Sequence, residues 1–216
     1  MRELDYVKDV TIFILKGSIT TIELYAVTAL FSIPIALIIA LVKVSGIKTL
    51  KFAADIYTWI LRGTPLMLQV FFVYFGLPVL GIRFEPFIAA SLAFILNYSA
   101  YLSEIIRAGI QSIDKGQYEA ARVLGMNYRQ TMLIIILPQT IRRIIPPTSN
   151  EAINLVKDTA LVAAIGMPDL LRAAKEAVTR DFTISPFIIA AVIYLLLTSV
   201  IVIIFNKLEK DRSLYE

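Results

Sequence analysis

The chain has 216 residues, is 58% hydrophobic with a mean hydropathy of +0.76, and carries 21 Lys and Arg against 17 Asp and Glu. Soluble domains hold about 45–50% apolar residues, so this excess calls for lipid as its solvent. Without Cys or His there is no thiolate or imidazole for a metal site, no disulfide, no cysteine nucleophile and no histidine general base, although carboxylate chemistry stays open.

The first ten residues, MRELDYVKDV, alternate charged with apolar groups and contain no small-residue cleavage site, so no signal peptide is expected. About 20 consecutive apolar residues cross a bilayer as a helix, and the chain supplies several such runs. Residues 19–42 form the first, interrupted only by Glu23 and hydroxyls, with Pro34 set to bend it. Residues 52–80 form the second, broken by Arg62-Gly63-Thr64-Pro65. Backbone broken at membrane depth needs protein or a water-filled cavity around it, so this span belongs inside the molecule.

The third span, 86–106, opens on Pro86, a good first-turn residue, and holds Asn97 at its middle. The fourth, 147–165, is the most polar, with Glu151, Asn154, Lys157 and Asp158 embedded in it. The fifth, 186–205, is the cleanest lipid-facing candidate. Five spans place the termini on opposite sides. Thirteen Lys and Arg fall on the side of the C-terminus, counting Lys43, Lys48, Lys51 and Arg212, and seven on the side of the N-terminus, counting Arg2. By the positive-inside rule the N-terminus is outside and the C-terminus cytoplasmic.

The connection at 107–143 is too long to be a plain loop and carries helix signals of its own. Gly116 and Gly125 bracket a short helix, the second suited to a left-handed stop. Asn127 is a cap for a following helix, expected to run to Leu137 and to stop at Pro138. Tyr118, Ala121 and Leu124 share one side of the short helix. Periodicity leaves two readings open: docking into the groove of a partner, or packing on the chain's own bundle.

Glu119-Ala120-Ala121, Gly125 four positions later, then Ile135 and Leu137-Pro138, resemble the EAA motif of bacterial ABC import permeases at its full spacing. Arg62-Gly63-Thr64-Pro65-Leu66 with Gln69, the 101–107 segment Tyr-Leu-Ser-Glu-Ile-Ile-Arg, and Leu155-Val156-Lys157-Asp158-Thr159 extend the similarity to the polar amino acid subfamily. The resemblance implies an all-α, five-span transmembrane permease domain over 1–216, in a bacterial cytoplasmic membrane. Its EAA helix would be a coupling helix held by a separate ABC ATPase dimer, with Gln117, Glu119, Ala120, Ala121, Arg122, Leu124 and Gly125 as the coupling residues. ATP and Mg would reside on that ATPase and no cofactor on this chain. A phosphate-binding Gly-x-x-x-x-Gly-Lys-Ser/Thr loop is absent from the sequence. A second permease chain, identical or paralogous, and an extracytoplasmic amino-acid-binding protein are the further partners implied. Nucleic acid is not expected.

Ionisable groups inside a span cost about 2.5–3.5 kcal/mol each and usually mark a pathway. Glu151, Asn154 and Asp158 lie on one helical face, with Lys157 rotated about 100° from Asp158. One stripe of acceptors with a cation beside it suits the carboxylate and ammonium of an amino acid. Its acidic excess favours a cationic one of the arginine, lysine or histidine kind, a neutral or acidic one being the alternative. Two readings stand for these residues, substrate contact or helix-to-helix pairing. The same holds for Gln69 and Asn97, the remaining candidate substrate-binding residues. Glu104 and Arg107 are expected to form a structural ion pair, and Arg62 to line the cavity or pair internally. A secondary transporter would bring internal repeats, and none is visible. An aspartyl protease would need a second buried aspartate beside Asp158.

Overall fold

The computed structural model describes the backbone of residues 2–213 and the side chains of residues 3–210; Arg2 and Arg212, counted above, lie outside the described side chains. Helix α1 spans Arg2–Val44, followed by α2, Lys48–Gly63, and α3, Leu66–Phe71. A π-helical turn at Phe72–Gly76 and a 3-10 turn at Leu77–Leu80 continue α3. Next come α4, Pro86–Gln111, α5, Lys115–Val123, and α6, Tyr128–Gln130. A π segment, Thr131–Ile136, leads into α7, Leu137–Asp158, which tightens to 3-10 at Thr159–Ile165. Helices α8, Leu170–Asp181, and α9, Ser185–Ser213, complete the order.

Among the described residues three helices, α1, α4 and α9, are long and apolar enough to cross a membrane. Helix α2 and the 66–80 segment form a further candidate, bent by 103° at the predicted break. Helix α7 carries Arg142, Arg143, Glu151, Lys157 and Asp158 and does not qualify by composition.

The most extensive helix pair is α1 with α4. Thr28, Ala36 and Ala40 on α1, and Ala90, Ala100 and Ser103 on α4, are fully buried. Small side chains let two helix backbones approach closely, which suits packing where no hydrophobic force favours one apolar surface over another. Leu24 meets Ala90, Ala93 and Phe94 in one cluster, and Ala36 and Ala40 meet Leu102, Ile106 and Ile110 in a second. The two helices therefore run in the same direction. Ile136 belongs to the second cluster, while Leu155, Val162 and Ile165 belong to the first, so α7 returns antiparallel to α4.

Three expectations are corrected. Pro138 does not stop a helix: the chain is π-helical at 131–136 and continues through it as α7. Proline removes one donor and crowds the carbonyl four residues back, and the wider π turn relieves both effects. Gly116 lies inside α5 rather than flanking it, because the Asp114 carboxylate is the cap, accepting from Gly116 N at 2.6 Å. Lys43, counted with the loop cations, sits in the last turn of α1 at 5% exposure.

Helix α8 was not anticipated. Asp169 caps it by accepting from the backbone N–H groups of Leu171 and Arg172, and Leu170, Ala173, Ala174 and Ala177 are buried. These face Val10 and Ile14 of α1 and Ala190 and Ile193 of α9. The 170, 173, 174, 177 spacing and the Asp cap are legible as a helix signal once the segment is read apart from its charges. The start of α8 packs closely on α1 at Gly17, where a Cβ would stand 2.7 Å from the Asp169 carbonyl oxygen.

Candidate functional site

Three groups of polar side chains line the inner faces of these helices. The first sits where α7 crosses α4. Glu151, Asn154 and Asp158 are each half-buried, whereas Lys157 is exposed, as their 100° offset requires. The Tyr98 hydroxyl of α4 donates to Asp158 Oδ2 at 2.7 Å. Tyr98 and Glu151 both line a cleft of about 230 Å³, with Tyr25 and Ser32 of α1 and Phe205 of α9. Arg62, at the end of α2, is within electrostatic range of Glu151. Two carboxylates and a phenol thus lie together with one guanidinium nearby, and Asn154 shares the carboxylates' face of α7. Tyr98 was missed because an aromatic in an apolar span reads as packing; its place beside Asn97 and one turn before Tyr101 was the signal.

The second group closes the break between α2 and α3. Gln69 Nε2 donates to the carbonyl oxygens of Leu61 and Thr64, at 2.9 and 3.1 Å, and to Thr64 Oγ1 at 2.8 Å. Asn97 Nδ2 donates to the Leu61 carbonyl at 2.9 Å and to Gln69 Oε1 at 3.1 Å. Pro65 interrupts the helix, and carbonyls left without their helical donors need partners away from water. In this structure both amides donate to those carbonyls, a contact of the helix-to-helix kind, one of the two readings open for them.

The third group is an ion network at the far end of α1. Lys43 Nζ lies 2.9 Å from Asp55 Oδ1, donates to Thr58 Oγ1 at 2.6 Å and also bonds Glu104. The expected pair forms as well, Arg107 Nη2 lying 2.6 Å from Glu104 Oε2. Arg62 approaches the same oxygen at 3.8 Å and stacks over Tyr101 at 5.3 Å from the ring centroid. Three cations, Lys43, Arg62 and Arg107, thus meet at Glu104 and join α1, α2 and α4, and Lys43 adds Asp55 of α2. Lys43 was hidden in the sequence because a Lys at the end of a span normally reaches out to the interface.

The α5 segment presents a different surface. Glu119, Ala120, Arg122 and Leu124 are exposed, with Val123 and Leu124 at 87% and 76%. Gly125 adopts φ +74, and the Met126 N–H bonds the Ala121 carbonyl while the Gly125 N–H bonds that of Arg122. This is the paired-bond stop of a Schellman motif, which favours glycine because a side chain is strained at that φ. The predicted common face is corrected: Ala121 is fully buried and Tyr118 half-buried against the α1–α4 cluster, so only Leu124 of the three looks outward. Ala121 is therefore a packing residue of its own subunit, and Val123 takes its place on the outer surface. Burial pushes the Tyr118 phenol above its ordinary range. The expected cap is present, Asn127 Oδ1 accepting from Gln130 N and Gln130 Oε1 from Asn127 N, each at 2.9 Å.

Residues 32–213 match the family described as binding-protein-dependent transport system inner membrane component. The chain belongs to this family. The match takes in every group just described except the first part of α1. Among relatives of this permease family, the arginine transport system permease protein ArtQ of Bacillus subtilis is 42% identical over 200 residues, 92% of this chain and 91% of that protein. The L-cystine transport system permease protein TcyB of the same organism is 38% identical over 205 residues, 94% of this chain and 88% of that one. A crystal structure of an amino acid ABC transporter with histidines superposes with a TM-score of 0.88 at 39% identity, covering 96% of this chain and 97% of the other. The methionine ABC transporter MetNI, in an inward-facing conformation, shares the fold at a TM-score of 0.78 and 15% identity, over 93% of this chain and 96% of its own.

Proposed function

We propose that this permease is the membrane-spanning subunit of an ATP-driven amino acid importer and that hydrolysis takes place on a separate ATPase. The observation that carries the reading is the end-to-end likeness, at 39% identity, to a solved amino acid ABC transporter. Five crossings fit the chain directions, with α1, α4 and α9 running one way and the bent α2–α3 pair and α7 returning. The excess of Lys and Arg on the α5 side supports a cytoplasmic α5 and an outside N-terminus.

The exposed Glu119, Ala120, Arg122, Val123 and Leu124, held by caps at both ends, form the surface offered to the ATPase. Closure of two ATPases would draw two such helices together, one from each permease chain, and turn the cavity between them outward; hydrolysis would reverse the motion. A binding protein outside would deliver the substrate.

The substrate site is assigned to Glu151, Asn154 and Asp158 with Tyr98, and Lys157 at its edge. Two carboxylates on one face favour a cationic amino acid, a reading supported by the arginine permease among the relatives and balanced by the cystine permease. Reconstitution of the permease with its ATPase and binding protein in proteoliposomes, followed by ATP-dependent uptake of each of the twenty amino acids and cystine, tests it. Uptake of arginine, lysine or histidine above the others is the expected result. Preference for a neutral or acidic amino acid overturns the cationic class, and ATP hydrolysis by the permease alone overturns the whole assignment.

A further inference from the structure

We propose that an anionic phospholipid is held where the end of α1 meets the π segment after α6. Two adjoining clefts on the outer surface carry the inference. The first, about 570 Å³, is almost wholly apolar: Ile38 and Leu41 of α1, Ile47 and Leu50 beyond it, and Met132 and Leu133 opposite. Ile38, Ile47 and Leu133 are 62%, 51% and 54% exposed. It runs beside the last turns of α1, a helix whose most apolar 18-residue stretch has a mean hydropathy of 2.4, so its occupant comes from the lipid side.

The second cleft, about 590 Å³, shares Tyr128 and Met132 as its wall with the first and is lined by Lys43, Lys51 and Lys115 with no carboxylate. Lys43 is held by Asp55 and Glu104, whereas Lys51 and Lys115 make no ion pair among the described residues. Arg129, on the rim of the apolar cleft, is likewise without an ion-pair partner there. An apolar trough joined to a cationic one across Tyr128 and Met132 matches an amphiphile whose tails are hydrocarbon and whose head is negative. The chains lie on Leu41, Met132 and Leu133, and the phosphate faces Arg129 and Lys51. Basic residues at a membrane surface attract anionic headgroups with about 1 kcal/mol each.

Native mass spectrometry of the assembled transporter tests the site, after detergent washing and incubation with dioleoylphosphatidylglycerol or dioleoylphosphatidylcholine in mixed micelles. The wild-type complex is expected to retain the glycerol lipid preferentially, and Arg129→Gln and Lys51→Gln each to reduce that preference about fivefold. Leu133→Gln lowers retention of both lipids, and inorganic phosphate does not compete. Equal retention of both lipids by the wild type, or unchanged preference in the Arg129→Gln/Lys51→Gln double variant, overturns the proposal. Competition by phosphate, which would mark an anion site without a lipid, overturns it too. So does binding that appears only after the ATPase is removed, since a protein face would then cover the clefts.

Discussion

Tyr98 and Asp158, sixty positions apart, are joined by a 2.7 Å hydrogen bond in which the phenol donates to the carboxylate. The bond ties the buried helix α4 to the last residue of the polar helix α7, at the point where α7 passes into a 3-10 turn. An Asp already holding one donor keeps acceptor capacity on its remaining lone pairs, so it can bind a substrate ammonium while staying fixed to the bundle.

If Asp158 meets the substrate, Asp158→Asn removes a charged acceptor, and hydrogen bonds to charged groups contribute about 1.5–3 kcal/mol. Uptake by reconstituted transporter should fall by about 10-fold or more, with the ATPase still co-purifying. Tyr98→Phe, which removes only the positioning bond, should raise the KM for uptake by about fivefold. Loss of ATPase assembly in either variant would mean that the bond holds the helices together and does not serve the substrate.

The Gln69–Asn97 pair makes a prediction about stability. Asn97→Ala removes the donor to Gln69 Oε1 and one of the two side-chain donors to the Leu61 carbonyl, leaving the Gln69 acceptor inside the bundle without a partner. An unsatisfied buried acceptor costs about 1–3 kcal/mol, so the thermal midpoint of the purified protein should fall by several degrees. Asn97→Asp should be worse, because a carboxylate has no N–H for the carbonyl. A midpoint unchanged in Asn97→Ala would favour the other reading of this amide, contact with the substrate.

Much of this arrangement was legible beforehand, and the exceptions share a physical cause. Long apolar runs announced α1, α4 and α9, and Arg62-Gly63-Thr64-Pro65 announced the break, because lipid and proline impose composition directly. Helix α8, whose cap and spacing are masked by its charges, and the buried Lys43 were overlooked, since each takes its meaning from a partner far away in sequence. The small amphipathic face of α8 has meaning only against Val10 and Ile14, and Lys43 only against Glu104, 61 positions on. The outward face of α5 was misjudged for the same reason: three-residue spacing gives a side, and tertiary packing decides which side looks out.

Lys43 should be among the most sensitive positions. It is 5% exposed and contacts two carboxylates, so Lys43→Met leaves Glu104, itself largely buried, without its nearest cation. Breaking one partner of a buried pair costs about 3–5 kcal/mol, whereas an apolar replacement of both is often close to neutral. Lys43→Met/Glu104→Gln should therefore recover part of the stability lost in Lys43→Met, measured by thermal unfolding in detergent. If the double variant is no more stable than the single one, the Lys43–Glu104 contact is not the interaction that matters. Asp55 would then be the partner to test.

Gly125 offers the sharpest separation of folding from coupling. Its φ of +74 has nothing within 4 Å of a Cβ, so a substitution there meets conformational strain and no clash. Left-handed backbone costs an ordinary L-residue about 1–2 kcal/mol, and asparagine bears it better than valine. Gly125→Val should loosen the Schellman stop, misdirect Val123 and Leu124 and reduce co-purification of the ATPase, while membrane insertion is unchanged and the thermal midpoint of the permease falls by only a few degrees. Gly125→Asn should restore most of the binding, because the conformation and not the absence of a side chain is what the contact needs. Normal ATPase binding by the valine variant would show that the geometry of this helix end is irrelevant to docking. Equal failure of both variants would point to a partner surface that approaches Gly125 too closely for any side chain.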